Sequence, residues 1–351
     1  MTESGKNTDN KKPGKNGKET SGTKRKVLIV VMLVVVAFGA WHYARLTASY
    51  RGENPVWVRI PGGASEPQAK DSIINALGPD LGPTVAQLWS GDVEKSAGAY
   101  LIEPRQRAWQ IARRISRGQQ TPVKVTFNNV RTLDELAERL AGRMDFSAEE
   151  FLKATAEVAA RDSISTDALT ARLLPDTYEA YWSDTPQRLI DKLLAHYRKV
   201  WTPDRLAKAE ALGLSAMQVT ILASIVEEET NKRDERPAVA RLYLNRLAKG
   251  MPLQADPTVK FASGDFAAKR ITGPMLAIDS PYNTYKYPGL PPGVIRLPEL
   301  RSVDAVLNAP AHDYIYMCAR ADLSGYHDFT ADYSRHLANA AAFRKAAYGA
   351  K

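Results

Sequence analysis

The chain has 351 residues, 44% hydrophobic and 25% charged, which is enough apolar material for two or three domains and excludes a wholly disordered or collagen-like chain. A single cysteine, Cys318, excludes an internal disulfide framework and any thiolate-rich zinc or iron–sulfur site. The formal charge of +9 suggests nucleic-acid binding until it is located: eight lysines and arginines against three carboxylates lie within residues 1–26, so the rest of the chain is nearly balanced and no nucleic-acid partner is expected.

Residues 1–26 are rich in Lys, Gly, Asn and Thr and are expected to form a disordered basic tail. No polar side chain occurs from Val27 to Ala40, and Trp41, His42, Tyr43 and Ala44 extend the run to a length that crosses a bilayer as a helix, residues 27–44. The aromatic end suits the headgroup boundary, and Lys24-Arg25-Lys26 just before the run places the N-terminus in the cytoplasm and everything after about residue 45 outside. A cleaved signal peptide is the competing explanation. The long polar leader argues against it, as does the lack of a clean cleavage site, since Ala37, Gly39 and Ala40 lie within the apolar run.

After a short linker over 45–53, Val56–Ile60 alternates like a strand, and Ala69, Ile73, Ile74 and Leu77 mark a helix stopped by Gly78-Pro79. Gly98–Ile102 is a second strand, a helix follows over about 105–117, and Val123–Phe127 is a third strand. Together these elements predict a small α+β module over 45–128. Residues 129–205 read as a mainly helical connecting region. Thr132-Leu133-Asp134-Glu135 and Ser147-Ala148-Glu149-Glu150 carry helix-start signals, and Leu173–Tyr178 interrupts the helical pattern.

The chemistry concentrates in 206–351. Residues 215–230 form a helix capped by Ser215, ending in Glu227-Glu228-Glu229-Thr230. On a helical projection Glu229 falls near the middle of the apolar arc, with Glu227 and Glu228 at or beyond its edges. A carboxyl group aimed into an apolar face is driven towards its neutral form, as a general acid requires. The plain alternative is a solvated acidic face with Glu229 paired to Arg233. A second helix starts at Arg236-Pro237. Beyond it, Met251–Val259 and Asp279–Gly293 place tyrosines, amides and carboxylates on proline-stiffened loops, a composition suited to sugar rings and hydroxyls but also to ordinary turns. His327 and His336 lack the spacing of a metal site, so no metal is expected and a hydrogen-bonding role is favoured for His327. Cys318 has no partnered base nearby and reads as a core residue.

Five segments occurring in order carry a family resemblance: Ile221–Thr230, Arg236 through Leu247, Gly250–Val259, Ser280–Tyr285 with Gly289–Gly293, and His327 with Phe329. The chain resembles the YceG-like (MltG) endolytic murein transglycosylase family over about 173–345, and residues 54–128 more weakly resemble that family's LysM-like subdomain. It departs from the pattern at Phe127-Asn128-Asn129, Ala171-Arg172 and Leu337. The resemblance implies an α+β protein with a mixed α/β catalytic domain over 206–351. Its implied activity is to cut the β-1,4 bond from N-acetylmuramic acid to N-acetylglucosamine in peptidoglycan strands, leaving 1,6-anhydro ends without water and without a cofactor. The family's catalytic glutamate lies in the acidic segment, where Glu229 and Glu227 both match. The helix projection favours Glu229. Implied substrate contacts are Arg236, Asn245, Gln254, Asp256, Tyr282, Asn283, Tyr285 and His327, with Arg236 alternatively paired to the acidic helix. The implied location is the cytoplasmic membrane, single-pass, with cell-wall synthases as further partners. Two rivals remain: a non-catalytic peptidoglycan-binding scaffold, and a hydrolytic muramidase with a second carboxylate such as Asp256 or Asp279.

Overall fold

The protein was analysed as a computed structural model, which describes residues 19–268 and 270–349. Most of the expected disordered tail therefore lies outside the described residues. The chain divides into two compact units, residues 1–120 and 121–351.

The first unit opens with helix α1, Glu19–Thr47, which is longer at both ends than the apolar run predicts. Every large apolar side chain on it from Val27 to Phe38 is exposed, as suits a helix surrounded by hydrocarbon rather than by a protein core. It is the one helix among the described residues that is by itself long and apolar enough to cross a membrane. The expected linker is not loose. Ala48 O accepts from Ala108 N at 2.8 Å, Tyr50 donates to Gln106 O at 2.9 Å, and Tyr50 O accepts from Arg105 N at 2.8 Å, with Ser49 bridging Arg107 antiparallel.

Strand β1 (Val56–Ile60), helices α2 (Glu66–Leu88) and α3 (Val93–Ser96), strand β2 (Gly98–Ile102) and helix α4 (Ala108–Ser116) complete this unit. β1 and β2 pair antiparallel, Val56 opposite Ile102 and Ile60 opposite Gly98. Val58, Ile60, Ile73, Tyr100, Ile111 and Ile115 form its core. The stop signal at Gly78 is real, at φ 77°. The chain then re-enters helix at Pro79, whose fixed φ suits a first turn, so α2 is two helical segments across a kink.

The second unit runs β3 (Val123–Thr126), α5 (Leu133–Ala141), α6 (Ala148–Arg161), α7 (Thr166–Thr170), β4 (Thr177–Ala180), α8 (Pro186–Val200), α9 (Pro203–Ala211), α10 (Ala216–Glu229), α11 (Arg236–Ala248), α12 (Asp256–Ser263), α13 (Gly273–Leu276), α14 (Leu300–Leu307), β5 (Tyr316–Ala319), β6 (His327–Thr330) and α15 (Tyr333–Tyr348). The strand at 123–126, expected in the small module, pairs instead with β4, which places the boundary near residue 120. β5 and β6 form a separate antiparallel hairpin. The helical stretch and the last third belong to one unit, because Ile221 of α10, Val294 and Leu297 share a core with Phe151, Leu169 and Leu193. A second core gathers α10, α11 and α14 around Leu222, Val226, Val239, Tyr243 and Val306.

Candidate active site

Helix α10 starts as the sequence predicts: Ser215 Oγ accepts from Gln218 N at 3.2 Å and the Gln218 side chain accepts from Ser215 N at 2.8 Å. Residues Val219 through Glu227 are all buried, so the helix is enclosed on every face and the projected arc alone does not separate the three glutamates. What separates them is their partners. A helix C-terminus carries partial negative charge, and no basic residue of α10 itself offsets it, so each carboxylate needs compensation from elsewhere.

Glu227, 5% exposed, is held by charge. Its Oε1 lies 3.1 Å from Arg296 Nε, and its Oε2 lies 3.7 Å from Arg236 and accepts from Ser302 Oγ at 2.6 Å and Glu299 N at 2.9 Å. Arg236 in turn donates to Ser302 Oγ at 2.7 Å. Glu228 pairs with Arg296 at 2.5 Å and Arg131 at 3.5 Å. Among the described residues, neither arginine nor lysine is bonded to Glu229. Its Oε1 accepts from the buried hydroxyl of Tyr243 at 2.5 Å, and not from Arg233, the partner that the alternative of a solvated acidic face requires. Burial drives its carboxyl pKa up to about 7, reinforced by the charges of Asp256 and Glu228, while the Tyr243 bond and Lys260 pull the other way.

Glu229 lies in the wall of a cavity of about 450 Å³. α11 contributes Tyr243 and Arg246. The irregular stretch before α12 contributes Gln254, the first residue of α12 is Asp256, and the β5–β6 hairpin contributes Tyr316 and His327. Tyr285, Cys318, Tyr333 and His336 also line the cavity. Tyr285 donates to Asp256 Oδ1 at 2.6 Å, and Gln254 accepts from Arg246 at 2.5 Å. Gln254 is in the left-handed backbone region at φ 51°, unusual for a residue with a β-carbon, and its own N–H is tied to Thr284 O at 3.1 Å. His327 donates its backbone N–H to Glu235 Oε1 at 2.7 Å, and its Nδ1 lies 2.8 Å from Glu235 Oε2. That buried carboxylate, also bonded by Thr230, fixes the ring and leaves Nε2 without a partner among the described residues. His336 stacks on Tyr316 with ring centroids 5.2 Å apart.

Of the residues expected at the site, Glu229, Gln254, Asp256, Tyr285 and His327 share this cavity. Glu227 and Arg236 are bound to each other outside its lining. Asn245 donates to the carbonyls of His312 (2.7 Å) and Tyr314 (3.0 Å), tying α11 to the approach to β5. Buried Asn283 donates to Leu276 O (3.0 Å) and Ile278 O (2.9 Å) and accepts from Tyr285 N (3.1 Å), which stiffens the loop presenting Tyr285. Tyr282 packs on Phe261 with centroids 4.7 Å apart, and its hydroxyl lies where a β-carbon on Gly293 would stand, so Gly293 is required for that approach. The sequence reading passed over Tyr243, Arg246 and Glu235. A signal for the first two was available: they lie three apart, on one face of a helix whose neighbours Leu242, Leu244 and Leu247 are apolar.

A protonated carboxyl group beside tyrosines, an amide, a second carboxylate and a histidine can deliver a proton to an oxygen of a hydroxyl-rich ligand and take one back. Comparison with known proteins bears on that chemistry. The model of the YceG-like family matches residues 80–342. The chain is 35% identical over 154 residues to the endolytic murein transglycosylase of Bacillus subtilis (strain 168), covering 44% of this chain and 42% of that one. It is 32% identical over 163 residues to that of Streptococcus pneumoniae serotype 2 (strain D39 / NCTC 7466), covering 45% and 29%. The matched stretches thus span less than half the length of these relatives. Among solved structures, a YceG-like protein from Listeria monocytogenes superposes with a TM-score of 0.55 at 25% identity, over 82% of this chain and 99% of that one.

Proposed function

The chain belongs to the YceG-like family, and from that premise we propose that it is a single-pass, membrane-anchored lytic transglycosylase acting on peptidoglycan strands. The relatives named endolytic murein transglycosylase support the reaction class. The observation that carries the assignment of the acid is Glu229, a carboxyl group on the cavity wall with no cationic bond among the described residues and a pKa pushed up to about 7. Near neutral pH it is partly protonated. It gives its proton to the glycosidic oxygen between N-acetylmuramic acid and N-acetylglucosamine as the C1–O bond breaks. As a carboxylate it then takes the proton of the C6 hydroxyl, whose oxygen bonds to C1 and closes the 1,6-anhydro ring. Tyr243 orients the carboxyl group through its hydrogen bond. Tyr285, Gln254 and His327, which line the same cavity, are the proposed contacts to sugar rings and hydroxyls.

The anchor is α1, with the N-terminus cytoplasmic and everything after about residue 45 outside, as the basic flank before the apolar run supports. Tethering holds the cavity near strands as they emerge and raises their effective concentration. The β1–β2 pair with its flanking helices supports a LysM-like reading of the first unit as a second surface for the strand, and cell-wall synthases remain proposed partners. Asp256, in the same cavity, favours one second reading, a muramidase in which it activates water. Mass spectrometry of digested strands separates the two: anhydro ends mean a transglycosylase, and reducing ends bearing an added water mean a hydrolase.

A further inference from the structure

The apolar run of α1 ends at Ala44, and at 1.5 Å per residue Ala48 lies about 6 Å further along the axis, inside a headgroup layer that adds roughly 5–7 Å to each side of the hydrocarbon. Ala48 does not lead into a free linker. Its carbonyl accepts from Ala108 N, Ser49 bridges Arg107, and Tyr50 is bonded to Gln106 and Arg105. Arg45 adds a second tie, with its guanidinium 3.4 Å from Thr84 Oγ1 of α2 and 4.8 Å above the Trp41 ring. The first unit is thereby fastened to the outer end of the helix on two sides.

What is fastened there has a distinct composition. Trp109, next to Ala108, is 38% exposed, while its neighbours Ala108, Ile111 and Ala112 face the core. Arg51, Arg105 and Arg107 are exposed, and none has an ion-pair partner among the described residues. Glu53 and Glu103 are the acidic residues alongside. Arg105 occupies the left-handed region at φ 70°, where glycine is favoured, so a strained turn presents this guanidinium. An exposed indole ring beside arginines, on the segment tied by its backbone to Ala48, Ser49 and Tyr50 at the outer end of α1, matches what the headgroup layer selects: amphipathic rings at the boundary and cations on phosphates.

We propose that the first turn of α4, with Arg105, Arg107 and Trp109, lies on the outer surface of the membrane that α1 crosses and binds anionic lipid phosphates. The unit then stands on the bilayer at a fixed height and does not swing on a tether. This rests on the membrane-anchor reading of α1, and the test separates the two. Trp109→Cys in a Cys318→Ser background leaves one thiol for an environment-sensitive NBD label on the full chain, reconstituted in nanodiscs of phosphatidylcholine with or without phosphatidylglycerol.

The expected result is blue-shifted emission and slow reduction by dithionite, both strengthened by phosphatidylglycerol. Arg105→Glu/Arg107→Glu should shift the label's buried-to-exposed ratio towards water by roughly tenfold or more. A label fully open to dithionite in discs of both compositions, on chain that resists alkaline carbonate extraction, would overturn the lipid contact while leaving the anchor intact. Extraction of the chain by carbonate would remove the anchor and the proposal together. Burial that is indifferent to phosphatidylglycerol and to charge reversal would overturn the phosphate contacts.

Discussion

Three consecutive glutamates are not held alike, and the difference is made by neighbours rather than by sequence position. Arginines neutralise Glu227 and Glu228, while Glu229 faces a cavity with a tyrosine hydroxyl as its bonded partner. Because its pKa is raised in the folded protein, Glu229 binds a proton there between about pH 4.5 and 7 that the unfolded chain has released. Stability is therefore lost as pH rises through that window and stays lost above it. Glu229→Gln removes the penalty. Denaturant unfolding should show it more stable than wild type by up to about 3 kcal/mol at pH 8, with the advantage gone near pH 4. Equal differences at both values would contradict a raised pKa. Tyr243→Phe deletes the bond that holds the pKa down, so the alkaline limb of the cleavage rate should move upward by about one pH unit. A limb that stays in place or falls would mean that Tyr243 does not set the proton affinity of Glu229.

At the scale of elements, Glu227 belongs to a joint. Through it and Ser302, α10, the start of α11 and the first turns of α14 are bound around the buried guanidinium of Arg236 and the half-buried one of Arg296. Removing one charge from such a cluster leaves the other side uncompensated, typically at about 3–5 kcal/mol. Glu227→Gln should therefore lower the unfolding midpoint by roughly 10 °C, whereas Glu229→Gln should not.

Local patterns were legible in the sequence where local rules decide. The Ser215 and Ser147 caps, the β1 and β2 strands and the start of α11 are set by residues within a few positions of one another. The partner of Val123–Thr126 was not legible, because it lies some fifty residues away in β4 and a short strand carries no mark of which edge it will join. For the same reason the sequence put Asn245, Asn283 and Tyr282 with the ligand contacts. Amide and phenol groups suit sugars, yet here they bond backbone carbonyls and pack the loop from behind. Tyr243 was missed because a tyrosine in an apolar helix reads as core, and only the fold brings its hydroxyl to Glu229.

For the whole molecule, the proposed arrangement is a membrane anchor at α1, the rest of the first unit fastened to its outer end, and a second unit carrying the cavity. In that proposal Glu229 is the acid of a water-free cleavage. The most direct measurement digests uncrosslinked peptidoglycan strands with the full chain in detergent. Glu229→Gln and Glu227→Gln run alongside below their unfolding temperatures, with products identified by mass spectrometry. Wild type should give 1,6-anhydro ends, folded Glu227→Gln should keep cleaving, and Glu229→Gln should lose at least about a thousandfold, since the amide keeps the shape but cannot deliver the proton. Undiminished cleavage by Glu229→Gln, or strands bound tightly by wild type and never cut, would overturn the role of Glu229 as the acid.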